Sequence, residues 1–262
     1  RAVERGEKIG IVGDYDMDGT PAAALLYDLF SRLNLAPEVI LPTRAEGYGF
    51  QRQFAERLHR RGVSLILTVD TGIRDHAAVA RANELTCDVI VTDHHECPDS
   101  LPEALAIINP KRPDSIYPFR QLSGTGVAFK LAQAVIERCP KSYRLTLPAH
   151  WLAWSLDLVA LATLGDMVPL VDENRVFVWY GLKVLRHGKR PGLARLIEAC
   201  GCSLDVLSYR DVTFKIIPKC NACGRISDMA DIFTILTERS PLLIDAAIKR
   251  VLTQATQARI IV

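Results

Sequence analysis

The sequence lacks the features that would place it in several special classes of protein. Its 32 Lys and Arg residues almost balance 30 Asp and Glu, so the formal charge is only +2 and predicts no global field for nucleic acid. Any binding to nucleic acid must therefore use a local patch. The most apolar stretch, Leu158 to Leu164, falls far short of the roughly 20 residues of a membrane-spanning helix, and no membrane partner is expected.

Disulfide and targeting signals are also absent. Seven cysteines are an odd number, and a chain of 262 residues is long enough to build its own core, which argues against a secreted disulfide scaffold. No signal-peptide pattern, internal repeat or low-complexity tract is found. We therefore expect the protein to work in a reducing cytoplasm.

What is present is an ordinary globular composition, 49% hydrophobic and 24% charged. In the first half, short β-branched runs alternate with helical patterns, which predicts an α/β fold with a parallel sheet covered by helices. The candidate strands are Lys8–Val12, Glu38–Leu41, Ser64–Val69, Asp88–Thr92 and Ala106–Ile108. The candidate helices are Pro21–Leu33, Arg52–Arg61, Asp75–Glu84 and Val127–Arg138.

The second half is predicted to be mostly helical. Its candidate helices are Trp151–Leu164, Asn174–Arg186, Leu193–Ala199, Met229–Glu238 and Leu242–Ile260. We divide the chain into an α/β core at residues 1–148, with metal-binding strand ends, and a mostly helical part at residues 149–262 that completes the site and starts a connecting helix. Since the sequence opens on Arg1 without a Met and stops inside a predicted helix, we expect it to belong to a longer protein.

Acidic residues collect where the first predicted strand ends. Asp14, Asp16 and Asp18 occupy every second position, and on an extended segment alternate side chains point the same way. Thr20 is predicted to cap the following helix, with Pro21 at its first position. Three carboxylates this close repel one another unless a cation lies between them, so we predict a metal site.

The same pattern follows other segments. Asp70 ends the third predicted strand, Asp93, His94 and His95 end the fourth, and Asp166 follows a long apolar helix. Ligands of parallel sheets bind at the carboxyl ends of the strands, where these groups would meet. Carboxylates and imidazoles in this number suit two divalent metal ions, with Mn²⁺ favoured over Mg²⁺. Two such metal ions close together support hydrolysis of phosphoesters.

These motifs, taken in order, resemble the DHH phosphoesterase superfamily, and within it the RecJ-like single-strand-specific exonucleases. Further matches are the segments Pro42–Arg44 with Gly47–Gly49, Ile107–Pro110, Ser123–Phe129, Val168–Leu170 and Asn221–Arg225. The resemblance implies that Asp14, Asp16 and Asp70 bind one ion. It implies that Asp18, Asp70, His94 and Asp166 bind the other, with Asp70 bridging. Within the predicted catalytic set of Asp70, His95 and Asp93, the resemblance implies that His95 lies near the scissile phosphate, and we expect Asp93 to orient an imidazole.

Four residues are candidates for binding nucleic-acid phosphate. Arg44 and Arg225 have the guanidinium geometry for it, with a salt bridge or surface solvation as the alternative. Asn221 belongs to the same motif as Arg225. Ser123 opens a predicted helix, where phosphate contact and a plain helix cap are equally open.

The sequence departs from the family pattern at three places. Pro21 and Ala22 replace small hydroxyl residues, and Thr71 replaces an Asn. Cysteines at positions 200, 202, 220 and 223 have a spacing compatible with structural zinc, although buried cysteine is the commoner explanation.

The resulting prediction is a 5′→3′ single-stranded DNA exonuclease of DNA repair and recombination that uses two Mn²⁺ or Mg²⁺ ions. A single-strand-binding protein or a helicase is a further expected partner. One alternative is a small-substrate DHH phosphoesterase that acts on oligoribonucleotides, cyclic dinucleotides or pyrophosphate. The other is a replication scaffold without catalysis.

Overall fold

The structure is a computed structural model that describes residues 1–261 of the chain, and the side chains of residues 1–258. Within those residues the strands form a five-stranded sheet in the order β2-β1-β3-β4-β5, and every pair is parallel. The strands are β1 Ile9–Gly13, β2 Glu38–Ile40, β3 Leu65–Val69, β4 Asp88–Thr92 and β5 Ala106–Ile108. Their ends lie within one residue of the predicted runs, and the predicted α/β class is confirmed.

The helices alternate with the strands in the first half of the chain and form most of the second half. The first seven are α1 Ala2–Arg5, α2 Gly19–Arg32, α3 Arg52–Arg60, α4 His76–Glu84, α5 Gly124–Arg138, α6 Lys141–Arg144 and α7 Trp151–Trp154. The others are α8 Leu156–Gly165, α9 Asp172–His187, α10 Pro191–Ala199, α11 Tyr209–Asp211, α12 Ile217–Ile226, α13 Ala230–Thr237 and α14 Pro241–Ile261, with a π-helical segment Val212–Ile216 before α12. Among the described helices, none is both long enough and apolar enough to cross a membrane.

Both faces of the sheet are covered, which explains why its central strands are apolar without alternation. All five residues of β1 and of β3 are buried. On one face, Phe54 and Leu58 of α3 and Val79 of α4 pack with Ile66 of β3 in a smaller hydrophobic cluster. Helices α2, α5 and α8 cover the other face as part of a larger cluster.

The helical second half packs onto that larger cluster, which also contains buried side chains of α9, α10, α12, α13 and α14. The predicted boundary between residues 148 and 149 falls between α6 and α7. The division into two parts stays a prediction. The shared cluster nevertheless means that burial alone does not separate the two halves.

Two local predictions are wrong. Thr20 is not the cap of α2, because the helix begins at Gly19, and the Thr20 hydroxyl is buried without a hydrogen-bond partner among the described residues. The predicted helix Trp151–Leu164 is split into α7 and α8 at Ser155, whose hydroxyl donates to the carbonyl of Trp151. The motif Asn221–Arg225, for which no secondary structure was predicted, lies in helix α12.

Candidate metal and phosphate site

The strand order places the acidic residues in one crevice. The chain passes from β1 outward to β2 and then returns to β3 on the other side of β1, so the order reverses between β1 and β3. Ligands of open parallel sheets bind outside the carboxyl ends of the strands at such a reversal. Asp14 follows β1 and Asp70 follows β3, while Asp93 follows the adjacent β4. The topology thus brings these three strand ends together.

The three aspartates after β1 lie on a turn and not on the extended segment that we predicted. The backbone N–H of Thr20 donates to the carbonyl of Asp16, and Asp16 Oδ1 accepts from the N–H groups of Asp18 and Gly19 at 2.8 and 2.9 Å. Gly19 lies so close to the backbone of Asp14 that a side chain there would collide with it. The carboxylates therefore converge because the chain turns tightly into α2.

Asp18 is held by the N-terminus of α5. Its two carboxylate oxygens accept from the N–H groups of Gly124 and Thr125 at 2.6 and 2.7 Å. The Ser123 hydroxyl accepts from the N–H of Gly126 at 3.1 Å and is fully buried. The first N–H groups of α5 thus donate to the Asp18 carboxylate and to the Ser123 hydroxyl. Since these donors are already used, Ser123 is better explained as a helix cap than as a phosphate contact.

His94 directs its Nε2 at the carboxylates. Its Nδ1 lies 3.0 Å from the carbonyl oxygen of Leu122, which only accepts, so Nδ1 is the ring nitrogen that donates to the backbone. The opposite nitrogen, Nε2, lies 3.1 Å from Asp70 Oδ1 and 3.7 Å from both Asp18 Oδ2 and Asp166 Oδ2. A histidine fixed in this tautomer has the form required of a metal ligand.

The Asp70 carboxylate is buried beside His94 Nε2, and one of its oxygens accepts no hydrogen bond from the described part of the chain. Its Oδ1 has no hydrogen-bond partner among the described residues, and it abuts Gly124, where any Cβ would collide with it. The Asp70 backbone has φ of 60°, in the left-handed region that non-glycine residues rarely adopt. A buried, unpartnered carboxylate oxygen facing an imidazole nitrogen calls for a cation between them.

The pKa shifts agree with a cluster that needs positive charge. Burial, with the charge of Asp16, raises the pKa of Asp14 to about 7. Burial, with the charge of Asp18, raises the pKa of Asp166 to about 6, and the same causes raise the pKa of Asp70 well above its ordinary value. The pKa of Asp16 is raised by burial and by Asp18. A divalent ion would reverse these shifts.

Three sets of ligand atoms lie close enough together to hold a metal ion, with all atoms of each set within 4.8 Å of one another. One consists of Asp14, Asp16 and Asp70, and another of Asp18, His94 and Asp166. Asp70 also forms a set with His94 and His95. The residues present thus fit two neighbouring divalent ions that share Asp70.

Asp93 and His95 form a pair beside this cluster. Asp93 Oδ1 accepts from His95 Nδ1 at 2.7 Å and from the N–H groups of His94 and His95, and Oδ2 accepts from the N–H of Ile73. Burial opposes ionisation of Asp93, but its hydrogen bonds, above all with His95, outweigh it and lower the pKa. The same bond raises the pKa of His95. Asp93 is therefore built to orient His95.

Tyr48 lies in the Gly47–Gly49 match to the family, but the sequence analysis did not predict it as a site residue. Its hydroxyl lies 3.3 Å from His95 Nε2, and its ring packs edge-on against that of Tyr15. Burial and the charge of Asp14 raise the pKa of Tyr48, so the phenol keeps its proton. The flanking Gly47 and Gly49, with φ of 94° and 88°, were the available signal for a specially shaped loop.

Asp75 was also missed, and no sequence signal marked it. Its Oδ2 accepts from the N–H of Phe50 at 2.6 Å and lies 3.3 Å from the Thr71 hydroxyl. It therefore ties the Tyr48 loop to the segment after Asp70. Thr71, the departure from the family's Asn, donates its hydroxyl to this link.

The structure supports the phosphate candidates unequally. Arg44 and Arg225 are both exposed, and neither forms an ion pair with another described residue. Helix α12, which carries Asn221 and Arg225, contacts the site through Gly224, which lies against the carbonyl of Tyr15. The half-buried Asn221 has an Oδ1 without a hydrogen-bond partner in the described part of the chain. Both arginines are thus free to bind a phosphate.

The cysteines do not support a zinc site. Cys200, Cys202, Cys220 and Cys223 are buried in the larger hydrophobic cluster. Burial raises the pKa of Cys200 and Cys220, and raises that of Cys223 to about 12, so these thiols stay protonated. Among the described residues, each set of atoms suited to a metal ion consists of Asp and His at the strand ends. These cysteines act as small apolar core residues.

Comparison with known proteins agrees with this geometry. The sequence profile of the DHH family, N-terminal domain, matches residues 8–163. The chain is 41% identical over 227 residues to the single-stranded-DNA-specific exonuclease RecJ of Bacillus subtilis, covering 86% of the chain and 27% of that protein. It is 40% identical over 237 residues to RecJ of Escherichia coli, covering 87% of the chain and 41% of that protein.

A solved structure, described as exonuclease RecJ bound to manganese, superimposes with a TM-score of 0.85 at 31% identity. The match covers 98% of this chain and 63% of that one. The chain thus spans between about a quarter and two fifths of the length of the two RecJ proteins named above.

Proposed function

This chain belongs to the DHH family, and from that premise we propose that it is the catalytic part of a RecJ-like exonuclease. It would hydrolyse phosphodiester bonds of single-stranded DNA in the 5′→3′ direction with two divalent ions, Mn²⁺ or Mg²⁺. The observation that carries the proposal is the meeting of five carboxylates and two imidazoles at adjoining strand ends, with Asp70 shared between sets of ligand atoms.

Asp14, Asp16 and Asp70 would hold one ion, and Asp18, Asp70, His94 and Asp166 the other. When bound, the two ions would lower the pKa of a water molecule and offset the negative charge that develops on the phosphate. The carbonyl of Leu122 holds the His94 tautomer, and the N-terminus of α5 holds Asp18. The chain thus fixes the ligands before an ion arrives.

His95 would act on the substrate. With Nδ1 bound to Asp93, its other nitrogen points toward Tyr48 and is available for a phosphate oxygen. The raised pKa of His95 favours the protonated ring, which donates to an anion. Asp93 would fix the orientation of His95, and the Tyr48 hydroxyl would keep that nitrogen bonded until the substrate arrives.

Arg44 and Arg225 would bind substrate phosphates, with Asn221 beside them on α12. Capture of a terminal 5′-phosphate by one of the arginines would place the first phosphodiester at the ions and lead to release of single nucleotides. A flexible single strand can follow such a path, whereas a stiff duplex cannot. The proposed polarity and strand preference both rest on these two side chains.

End-labelled single strands, with and without a 5′-phosphate, test the proposal in Mn²⁺. We expect mononucleotides released first from the 5′ end, faster with the phosphate, and little cleavage of blunt duplex. Release from the 3′ end first, or equal cleavage of duplex, would contradict the proposed polarity and substrate.

The same assay tests the two alternatives. Faster hydrolysis of a dinucleotide or of pyrophosphate than of the single strand would favour a small-substrate phosphoesterase. Absence of metal-dependent hydrolysis of any of these would favour a scaffold. The complete ligand set favours catalysis, because every predicted metal ligand belongs to one of the sets of ligand atoms.

A role in DNA repair and recombination follows from the proposed substrate. We also propose a single-strand-binding protein or a helicase as the source of that substrate. A cytoplasmic location is part of the same proposal, and all seven cysteines are free thiols in the structure.

A further inference from the structure

The outer face of α9 carries aromatic and basic side chains that the proposed function does not use. Trp179 and Tyr180 are 62% and 51% exposed. Lys183 Nζ lies 5.1 and 5.0 Å from the centres of their rings. Aromatic side chains of this size are normally buried in cores or interfaces, and such exposure marks a binding surface. We name these three side chains the α9 platform.

The inner face of α9 fixes the position of this platform. Gly181 packs directly against the carbonyl of Leu156 and against Ala160, so that no side chain would fit there. Phe177 packs edge-on against Phe129 of α5 at 5.5 Å between ring centres. The helix is therefore held against α5 and α8, and the α9 platform projects from a rigid support.

The sequence around the α9 platform is rich in basic residues, and Asp172 is the exposed acidic residue of the first turn of α9. From residue 174 to residue 197 the sequence contains no Asp or Glu, and it contains exposed Arg175 and Arg186 on α9 itself. Glu173, in the first turn, is already bound by the Tyr117 hydroxyl and by Lys130. Arg186 donates to the carbonyl of Leu207. A partner that fits this surface therefore carries several negative charges, which match the basic side chains, and has aromatic rings that can stack on Trp179 and Tyr180.

The start of α9 connects the α9 platform to the segment that carries Asp166. Helix α9 begins six residues after Asp166, and the Asn174 amide donates to the carbonyls of Gln121 and Pro169 at 2.6 and 3.0 Å. These bonds fasten the start of α9 to the segments on either side of the site. Trp179 lies seven residues beyond Asp172, about 10 Å along the helix.

We propose that the α9 platform binds single-stranded nucleic acid, as the resting place of the part of the strand that extends beyond the strand-end site. The rings of Trp179 and Tyr180 would stack on bases, and Lys183 and Arg175 would bind phosphates. Aromatic rings interleaved with basic groups are the usual means of holding a single strand without regard to its sequence. The inference rests on the proposed function, because it assumes a nucleic-acid substrate.

Tryptophan fluorescence gives a direct test. Trp151 is buried and Trp154 is half-buried, so Trp179 is the tryptophan that a bound base can reach most easily. The chain is titrated in EDTA, which prevents hydrolysis, with oligothymidylate of about 12 nucleotides, a length typical of single-strand sites. We expect quenching in the parent and its loss in Trp179→Phe excited under the same conditions.

Affinity measurements then show whether a long oligonucleotide binds to the α9 platform or to another part of the surface. Trp179→Ala should weaken binding of the long oligonucleotide about tenfold while binding of a dinucleotide changes much less. Phe214→Ala is the matched control, because Phe214 is 71% exposed and lies in the π-helical segment and not on α9. Its affinity for the long oligonucleotide should equal that of the parent.

Two results would overturn the inference. One is an absence of quenching, or an equal affinity of parent and Trp179→Ala for the long oligonucleotide. The other is a change of mass in sedimentation of Trp179→Ala, which would assign the surface to a second copy of the chain. Asp70→Asn distinguishes this inference from the proposed function. The variant should lose hydrolysis but should still bind a long oligonucleotide more tightly than a dinucleotide.

Discussion

Asp70 and Asp93 follow neighbouring parallel strands, are 2% and 1% exposed, and differ in almost every other respect. Asp93 is surrounded by donors, and its pKa is lowered. Asp70 has an oxygen without a donor in the described chain, faces a histidine nitrogen, and has a strongly raised pKa. Burial alone therefore does not reveal what a carboxylate does. Its hydrogen bonds distinguish a residue that holds a neighbour from one that awaits a cation.

Replacement of Asp70 should have the largest effect on activity. Asp70→Asn removes the charge shared by both proposed ion sites, and we expect hydrolysis of single-stranded DNA in Mn²⁺ to fall by about 10³-fold or more. In EDTA, thermal unfolding of the variant should occur at or above the temperature of the parent, because an unpartnered buried charge has been removed. A lower melting temperature in EDTA, or activity close to that of the parent, would refute this assignment of Asp70.

Replacement of Asp93 should lower stability, which replacement of Asp70 should not, and should lower activity less than replacement of Asp70 does. Asp93→Ala leaves the N–H groups of Ile73, His94 and His95 without their acceptor, and we expect a loss of about 3 kcal/mol in the free energy of unfolding measured with urea. Activity should fall by about 10²-fold as His95 loses its orientation. Asp114→Ala, which breaks an exposed ion pair with Arg112, is the control and should change neither quantity by much. Unchanged stability of Asp93→Ala would remove the contrast with Asp70.

The contrast also predicts a pH dependence. Since the pKa of Asp14 rises from 3.8 unfolded to about 7 folded, the metal-free native state binds more protons than the unfolded chain between these values. The contribution of Asp14 to the free energy of unfolding therefore falls by about 3 kcal/mol as the pH rises from about 4 to about 7. Urea unfolding in EDTA should show this loss in the parent and less of it in Asp14→Asn. Saturating Mn²⁺ should remove the loss, and identical pH slopes for the two proteins in EDTA would contradict the prediction.

Arg44→Ala should have the smallest effect. If Arg44 binds one phosphate, its replacement lowers the slope of log affinity against log salt for single-stranded DNA by about one and leaves Mn²⁺ binding unchanged. Arg5→Ala is the matched control, because Arg5 is exposed on α1, at the amino end of β1. If both variants keep the slope of the parent, Arg44 has a structural role.

The sheet and its acidic strand ends could be predicted from the sequence because apolar strands buried on two faces leave an unambiguous pattern. The family motifs then identified the residues that meet there. The convergence of Asp14, Asp16 and Asp18 was predicted for the wrong reason, since the turn into α2 and not strand alternation brings them together. The sequence shows where the groups lie along the chain, but not how the backbone turns between them.

Tertiary contacts explain what the sequence did not predict. Helix α12 contains Pro218 and Gly224, which lower its helix propensity, yet Gly224 is what allows it to touch the carbonyl of Tyr15. The role of Asp18 as the partner of the α5 N-terminus joins residues more than 100 positions apart. The links through Tyr48 and Asp75 also depend on loops that approach one another only in the folded chain.

The central claim is that Asp70 joins two ion sites, and calorimetric titration of Mn²⁺ into the chain tests it most directly. We predict two ions per chain for the parent, fewer for Asp70→Asn, and two for the control Asp114→Ala. Two ions bound with parent affinity by Asp70→Asn, or no binding by the parent, would contradict the claim.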